Sequence, residues 1–323
     1  MIELPQYLRF LREEYLDGFV RDGGAAVKFA IVPNDAGAGY VHKGMRQHAE
    51  AAGYAYAAID AATTKLSMID RIFHAIASQI PWQDLARRVV LDALEDLRLP
   101  APAGEPLSLE AIARHNDYDL QQLRKDFNRR LRDKIFHDYE LAQDFRVAMI
   151  LLCQAEVIGS PSTQATAEAV HMWLRGELRQ MAQLREDLIY QKINRSNALH
   201  MLYSIGPWIR KAGKPGLVLD FDIRQCAVTA RALTDQLFYT RPAVLDVYEL
   251  LRQLIDATDE LSSTFILVTA TNDFLADQTR GLEKYWALRL RILDEVRDRH
   301  MVNPYSALMR LSTDPMAEVE VHA

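Results

Sequence analysis

The residues with the best prospects for chemistry fall in two short segments far apart in the chain. After a β-rich run at 27–32, the window Asn34-Asp35-Ala36-Gly37-Ala38-Gly39-Tyr40-Val41 is built of small and turn-forming residues. A phosphate-binding loop of the form GxxxxGK[ST] uses glycines to let backbone N–H groups approach phosphates, a lysine to meet the terminal phosphates and a hydroxyl to hold magnesium. With Gly39 set at the last glycine, Asn34 stands at the first glycine, Tyr40 at the lysine and Val41 at the hydroxyl. The context fits such a loop and the chemistry does not, because phosphoryl transfer depends on positioned charge. Lys43 lies about one helical turn further on and is expected to point away from a cradled phosphate. An ordinary βα turn is the competing reading of the same window.

The second segment, 217–222, reads Leu-Val-Leu-Asp-Phe-Asp, an apolar strand ending in an acid that could hold magnesium, as a Walker B strand does. Hydrolysis would need a glutamate after Asp220 to orient water, and that position holds Phe221. The two-residue period of a strand puts Asp222 on the same face as Asp220, away from the missing glutamate's position. No residue in either segment is expected to be catalytic.

These segments have to be positioned by strands and helices, and the pattern of the chain supplies them. Apolar residues at helical spacing mark 4–16, with a turn at Gly23-Gly24; a strand is expected at 27–32, a loop at 33–39, a helix at 45–52 and a second strand at 54–60. From 66 to about 205 the pattern is helical, broken at 100–106 and 159–161, with Ser108 and Thr163 as expected N-caps. Strands follow at 216–221 and 265–270, helices at 248–255 and 282–297, and a last strand at 307–311. Strands in the first sixty residues and the last hundred, with helices between, predict one parallel sheet of an α/β protein bearing a large helical insertion. The expected division is a core of 1–65 and 206–323 with an insertion of 66–205.

Composition bounds what this fold could do. The chain has 323 residues, 49% hydrophobic and 25% charged, with a net charge of −6, which is ordinary globular usage and no platform for coating nucleic acid. Cys153 and Cys226 form no CxxC or His/Cys cluster, and the nine histidines show no HxxxH or HExxH spacing, so neither a metal site nor a disulfide framework is expected. No GxSxG occurs, and Glu13 and Glu14 are adjacent on a helix and face apart. With no leader-like N-terminus and no apolar run long enough to cross a membrane, a reducing cytoplasm is the expected setting.

One local exception is the stretch 124–134, which holds six basic and two acidic residues. On a helix Lys125, Arg129 and Arg132 share a face, with Arg130 beside them, and Leu123, Phe127, Leu131 and Ile135 form a separate apolar stripe. That face could contact DNA phosphates without reading sequence, or be a solvated face pairing with nearby acids.

The second half of the chain resembles the ATP-binding proteins of BREX-type phage-exclusion systems, a family of AAA-like P-loop NTPases. The resemblance rests on Trp173-Leu174-Arg175-Gly176-Glu177, the strand 216–222, the segments 248–256 and 265–274, Arg280-Gly281-Leu282, Tyr285-Trp286-Ala287-Leu288, and Asn303-Pro304. It covers about residues 170–312, and the unit at 27–60 falls where such proteins keep their nucleotide loop. The resemblance implies a P-loop fold in a defence setting, with Thr269, Thr271 or Asn272 as a nucleotide sensor and Arg280, Arg289 or Arg291 near the nucleotide or a neighbouring subunit. It also implies company: other defence proteins, such as an intact P-loop paralogue or a helicase, in an oligomer or hetero-complex. The departures at Tyr40, Val41 and Phe221, and a C-terminus expected to lack the helical lid, argue against binding of ATP and magnesium and more strongly against hydrolysis. The expectation is a pseudo-ATPase subunit with a structural or regulatory role in antiviral defence or DNA processing. Two alternatives stand beside it: a working ATPase that borrows Lys43 or a partner's arginine, and a DNA-binding adaptor acting through 124–134.

Overall fold

A computed structural model describes residues 1–231, 235–293 and 302–312. In chain order the strands are β1 (Ile2–Glu3), β2 (Ala25–Val32), β3 (Ala55–Asp60), β4 (Leu217–Asp222), β5 (Thr264–Thr271) and β6 (Leu308–Ser312). The helices are α1 (Leu4–Phe10), α2 (Asp35–Ala51), α3 (Ile69–Ala77), α4 (Trp82–Asp96), α5 (Leu109–His115), α6 (Leu120–Leu131), α7 (Gln143–Ile158), α8 (Pro161–Leu174), α9 (Ala182–Arg185), α10 (Ala198–Tyr203), α11 (Ile205–Lys211), α12 (Arg241–Asp256), α13 (Asp273–Ala276) and α14 (Trp286–Ile292). The chain divides into two compact units, one formed by 1–76 with 215–323 and the other by 77–214.

The first unit holds a six-stranded sheet in the order β1-β6-β2-β5-β4-β3, with every pairing parallel. β4 is buried at every position and β5 at all but its last, as continuous apolar runs in a parallel sheet covered on both faces must be. One face carries Ala30, Val32, Val218, Phe265 and Leu267 and packs on Leu8, Leu11, Val41, Met45 and Ala49 of α1, α2 and the π-helical stretch Leu11–Phe19. On the other, Phe29 stacks on Phe274 at 6.0 Å between centroids, and Tyr248 of α12 meets Phe274 edge-on at 5.4 Å. Lys28, buried in β2, anchors the approach to β6 by donating to the carbonyl of Ser306 at 3.1 Å, with its ammonium 4.8 Å from the Tyr15 ring centroid.

The expected loop at 33–39 is a helix start. Only Pro33 and Asn34 join β2 to α2, which runs from Asp35. Glycine density suggested a breaker, but Asn34 is a strong N-cap whose Oδ1 accepts the Gly37 N–H at 2.8 Å, and Ala36 and Ala38 on either side of Gly37 favour helix. Gly37 is tightly placed, since a Cβ there would lie 3.2 Å from Pro33 Cδ. β1 went unforeseen because two residues carry no period. The expected strands at 27–32, 54–60, 216–221, 265–270 and 307–311 all correspond to observed strands within two residues at each end.

The second unit is helical. Ser108 caps α5 through the Ala111 N–H at 3.1 Å, but α8 is capped by Ser160, which accepts from Thr163 N at 3.2 Å, so Thr163 sits inside the first turn and is not the cap. Nor is 175–197 helical beyond α9: Gly176 in the left-handed region (φ 75°) ends α8, and turns follow to Asn197. Of the expected helix at 282–297, the structure has a 3₁₀ turn at Leu282–Lys284 and α14; residues 294–297 lie outside the described residues, as does 313–323, where the lid was expected to be missing.

Candidate functional site at the carboxyl edge of the sheet

In parallel α/β sheets the crevice beyond the carboxyl ends of the strands is the usual place for ligands. Here β4 brings Asp220 and Asp222 to that end on the face covered by α2, with Phe221 buried on the opposite face. Their partner is a residue the sequence did not single out. His42, one turn beyond Ala38 on α2, sets Nδ1 2.8 Å from Asp220 Oδ2 and Nε2 3.3 Å from Asp222 Oδ2. Tyr56 of β3 donates its hydroxyl to the same Asp220 oxygen at 2.7 Å, while Asp220 Oδ1 is buried without a hydrogen-bond partner.

Asp222 is also held by Arg224, whose Nη2 at 2.6 Å and Nε at 3.0 Å donate to the same Oδ2 that faces His42, and whose backbone N–H donates to Oδ1 at 3.1 Å. Arg224 also pairs with Asp35, so the chain of charges runs His42, Asp222, Arg224, Asp35, from the sheet to the first residue of α2. Burial draws the His42 pKa down, but the hydrogen bonds the ring gives to Asp220 and Asp222 outweigh it and lift it to about 9. Burial raises the Asp222 carboxyl, and the bonds from His42 and Arg224 overcome this and hold it well below the ordinary carboxylate range. Tyr56 is driven up by burial and by the Asp220 charge, so it stays a hydrogen-bond donor.

These residues do not fit magnesium and ATP. A phosphate cradle needs free N–H groups at the helix start, and the Gly37 N–H is already taken by Asn34. Asp35 places a carboxylate where the helix dipole would attract a phosphate, and the two-residue connection leaves no loop to wrap one. The cavity at this edge, about 490 Å³, is lined by Asp35, Asp60, Asp222 and Asp273 against Arg224. Each carboxylate within about 4–8 Å of a phosphate opposes it by roughly 2–4 kcal/mol at an effective dielectric near 20. Between Asp220 and Asp222, where the motif would keep magnesium, the His42 ring already makes contact with both.

The other predicted residues are scattered relative to this cluster. Tyr40, 48% exposed, lines a different cleft of about 670 Å³ between α1 and α2 together with Arg9 and Lys43, so it does not plug the sheet edge. Val41 is in the core, and at Gly39 a Cβ would meet nothing within 4 Å. Thr269 is in register with Asp222, its Oγ1 buried and without a partner, and Thr271 lines the 490 Å³ cavity. Asn272 is exposed at the start of α13, where its carbonyl accepts from Leu275 and Ala276.

The expected interface arginines are occupied locally. Arg280 is buried, donates through Nη1 to the carbonyls of Val228 and Tyr239 at 2.7 Å each, and stacks 5.1 Å from the Phe238 centroid. Arg289 pairs with Glu283 at 2.9 Å and lies over Trp286, and Arg291 pairs with Asp256 at 2.8 Å. In the second unit Arg129 pairs with Asp126 at 2.7 Å, Arg130 with Asp96 at 2.9 Å through Nε, and Lys134 with Asp96 at 2.6 Å. Lys125 and Arg132 are exposed, and Arg132, whose N–H still reaches the Asn128 carbonyl, keeps the α-helical register with Lys125 and Arg129; the π-helical turn Arg132–Phe136 shifts the register only beyond it. Burial pushes the Cys226 thiol up to about 12 and Cys153 higher still, so neither is a nucleophile. No cluster of three or more potential metal ligands occurs among the described residues.

A family model described as BREX system ATP-binding protein BrxC/D matches residues 13–321 of the chain. No curated protein and no solved structure matches it.

Proposed function

The chain belongs to the family of BREX system ATP-binding proteins BrxC/D, and on that premise we propose that it is a non-hydrolysing subunit of a phage-defence system, structural or regulatory in role. One observation carries the reading: the place of the phosphate loop is taken by a helix that starts at Asp35, capped by Asn34 and closed by the Asp35–Arg224 ion pair. The fold supports an AAA-like P-loop ancestry, since β5, with its sensor-like Thr269 and Thr271, lies between the strand that precedes α2 and the strand that carries the acids. On this reading 77–214 is the helical insertion, and ATP turnover belongs to partners such as an intact P-loop paralogue or a helicase.

An ATPase that borrows Lys43 fits poorly, because that side chain lines the α1–α2 cleft with Tyr40. Phosphate release from Mg–ATP, measured with and without DNA on the purified chain, is expected to stay at background. Turnover that Asp220→Ala abolishes would overturn the proposal.

A further inference from the structure

We propose that the cleft between α1 and α2 is a binding site for a small phosphate monoester, held by Arg9 from one wall and Lys43 from the other. At about 670 Å³ the cleft has the size of a small-molecule site, and none of the acids at the sheet edge lines it. Its walls are helical stripes. Tyr40, Lys43 and Gln47 share one face of α2 by their i, i+3 and i+7 spacing, and Arg9 and Arg12 stand about one turn apart along α1 and the π-helical stretch that continues it. At the floor the two helices meet, since a Cβ on Gly44 would lie 2.5 Å from Leu8 Cδ1.

The donors of this cleft are uncommitted. The side chains of Arg9, Tyr40, Lys43 and Gln47 make no hydrogen bond or ion pair with any described residue, whereas Arg46, on the same helix but outside the cleft, pairs with Glu50 at 2.9 Å. Arg12 gives its Nε to Asp17 at 3.3 Å, and Arg21 faces the same carboxylate at 3.9 Å, so one acid is shared by two cations. Glu13 is the only other acid lining the cleft, which therefore keeps an excess of positive charge within a chain of net charge −6. Like charges on facing walls repel, and an anion placed between them turns that repulsion into attraction. A phosphate monoester carries up to two charges on three terminal oxygens, enough to accept from both Arg9 and Lys43 and from the Tyr40 hydroxyl or the Gln47 amide. A carboxylate, with one charge and two oxygens, leaves part of this set unmatched. The carbon body of the ester has Leu8 and Pro5 to rest on.

The test uses the full chain in EDTA, with ribose 5-phosphate, ribose, inorganic phosphate and succinate as probes in calorimetry and thermal melts. Ribose 5-phosphate is expected to bind as one equivalent and to raise Tm. Ribose is expected to do neither, and inorganic phosphate and succinate to bind about tenfold more weakly than the ester or not at all. Arg9→Ala and Lys43→Ala should each weaken binding roughly tenfold, and the double variant should abolish it. Both side chains are exposed, so the Tm of these variants without ligand should equal that of wild type. Arg46→Ala should leave the affinity unchanged. No saturable binding of the ester at about 10 mM, or binding that survives the double variant, would overturn the proposal. So would an equal loss in Arg46→Ala, which would reduce the effect to diffuse surface charge, or succinate binding as tightly as the ester. Inorganic phosphate binding as tightly as the ester would mean an adventitious ion only. Without magnesium no arm of this test depends on ATP turnover, so its failure leaves the non-hydrolysing role untouched.

Discussion

His42 shows how one residue can settle the character of a site. Free in an unfolded chain its ring would titrate near 6.5; in the fold it titrates at about 9. Because the folded value is the higher one, the stabilisation is complete below pH 6.5 and disappears as pH rises from there through 9. It amounts to about 3–4 kcal/mol at most. Wild-type Tm is therefore expected to fall between pH 7 and 9.5, and the profile of His42→Gln to be flatter over the same range. Parallel profiles measured by scanning calorimetry would show that the ring's charge contributes nothing. Neither this ring nor its role was visible in sequence, where it was one of nine histidines without a ligand spacing; its partners lie 178 and 180 residues away. The acids were legible, because a strand's period puts alternate residues on one face whatever surrounds them.

At the scale of elements, the beginnings of three strands converge on one glycine. Gly216 enters β4 at φ +156°, and a Cβ on it would lie 2.1 Å from the carbonyl oxygen of Ser263, the same oxygen that accepts the Leu217 N–H at 2.9 Å. Gly216 in turn gives its carbonyl to Ala55 of β3, and Ser263 donates to Gly23 just before β2. A methyl group there must push backbone against backbone, which no rotamer change relieves. Gly216→Ala is expected to destabilise the first unit by about 2–3 kcal/mol, seen as a lower Tm by circular dichroism. A variant as stable as wild type would mean that the strand ends can part without cost. The same scale explains the misread helix start. Gly37 and Gly39 look like breakers in isolation, yet Gly37 is there for close approach to Pro33, and the Asn34 cap decides where the helix begins.

Over the whole molecule, charge is spent on internal pairing. The net charge is −6, and in the one basic stretch Arg129, Arg130 and Lys134 are each matched to an aspartate of α4 or α6. Each exposed pair is worth only about 0–1 kcal/mol, but together they leave little unmatched charge for a phosphate backbone. Reversing Arg129, Arg130 and Arg132 to Glu should leave the affinity for duplex DNA unchanged in fluorescence anisotropy. A loss that steepens at low salt would restore the DNA-contact reading. Among the described residues no helix is long and apolar enough to cross a membrane.

The amino-acid sequence by itself determined the parallel sheet, the helical block between its two halves, the acids on β4 and the family resemblance. All of these follow from local period, strand-end chemistry and motif order, which need only near neighbours in the chain. What only the tertiary structure decided is what gathers at the carboxyl edge of the sheet: Asn34 and Asp35 at the helix start, Arg224 paired with Asp35, and His42 between Asp220 and Asp222. The physical reason is that a buried charge is specified by whatever the fold brings against it, and here the partners come from α2, β3 and β4, whose proximity no local pattern encodes.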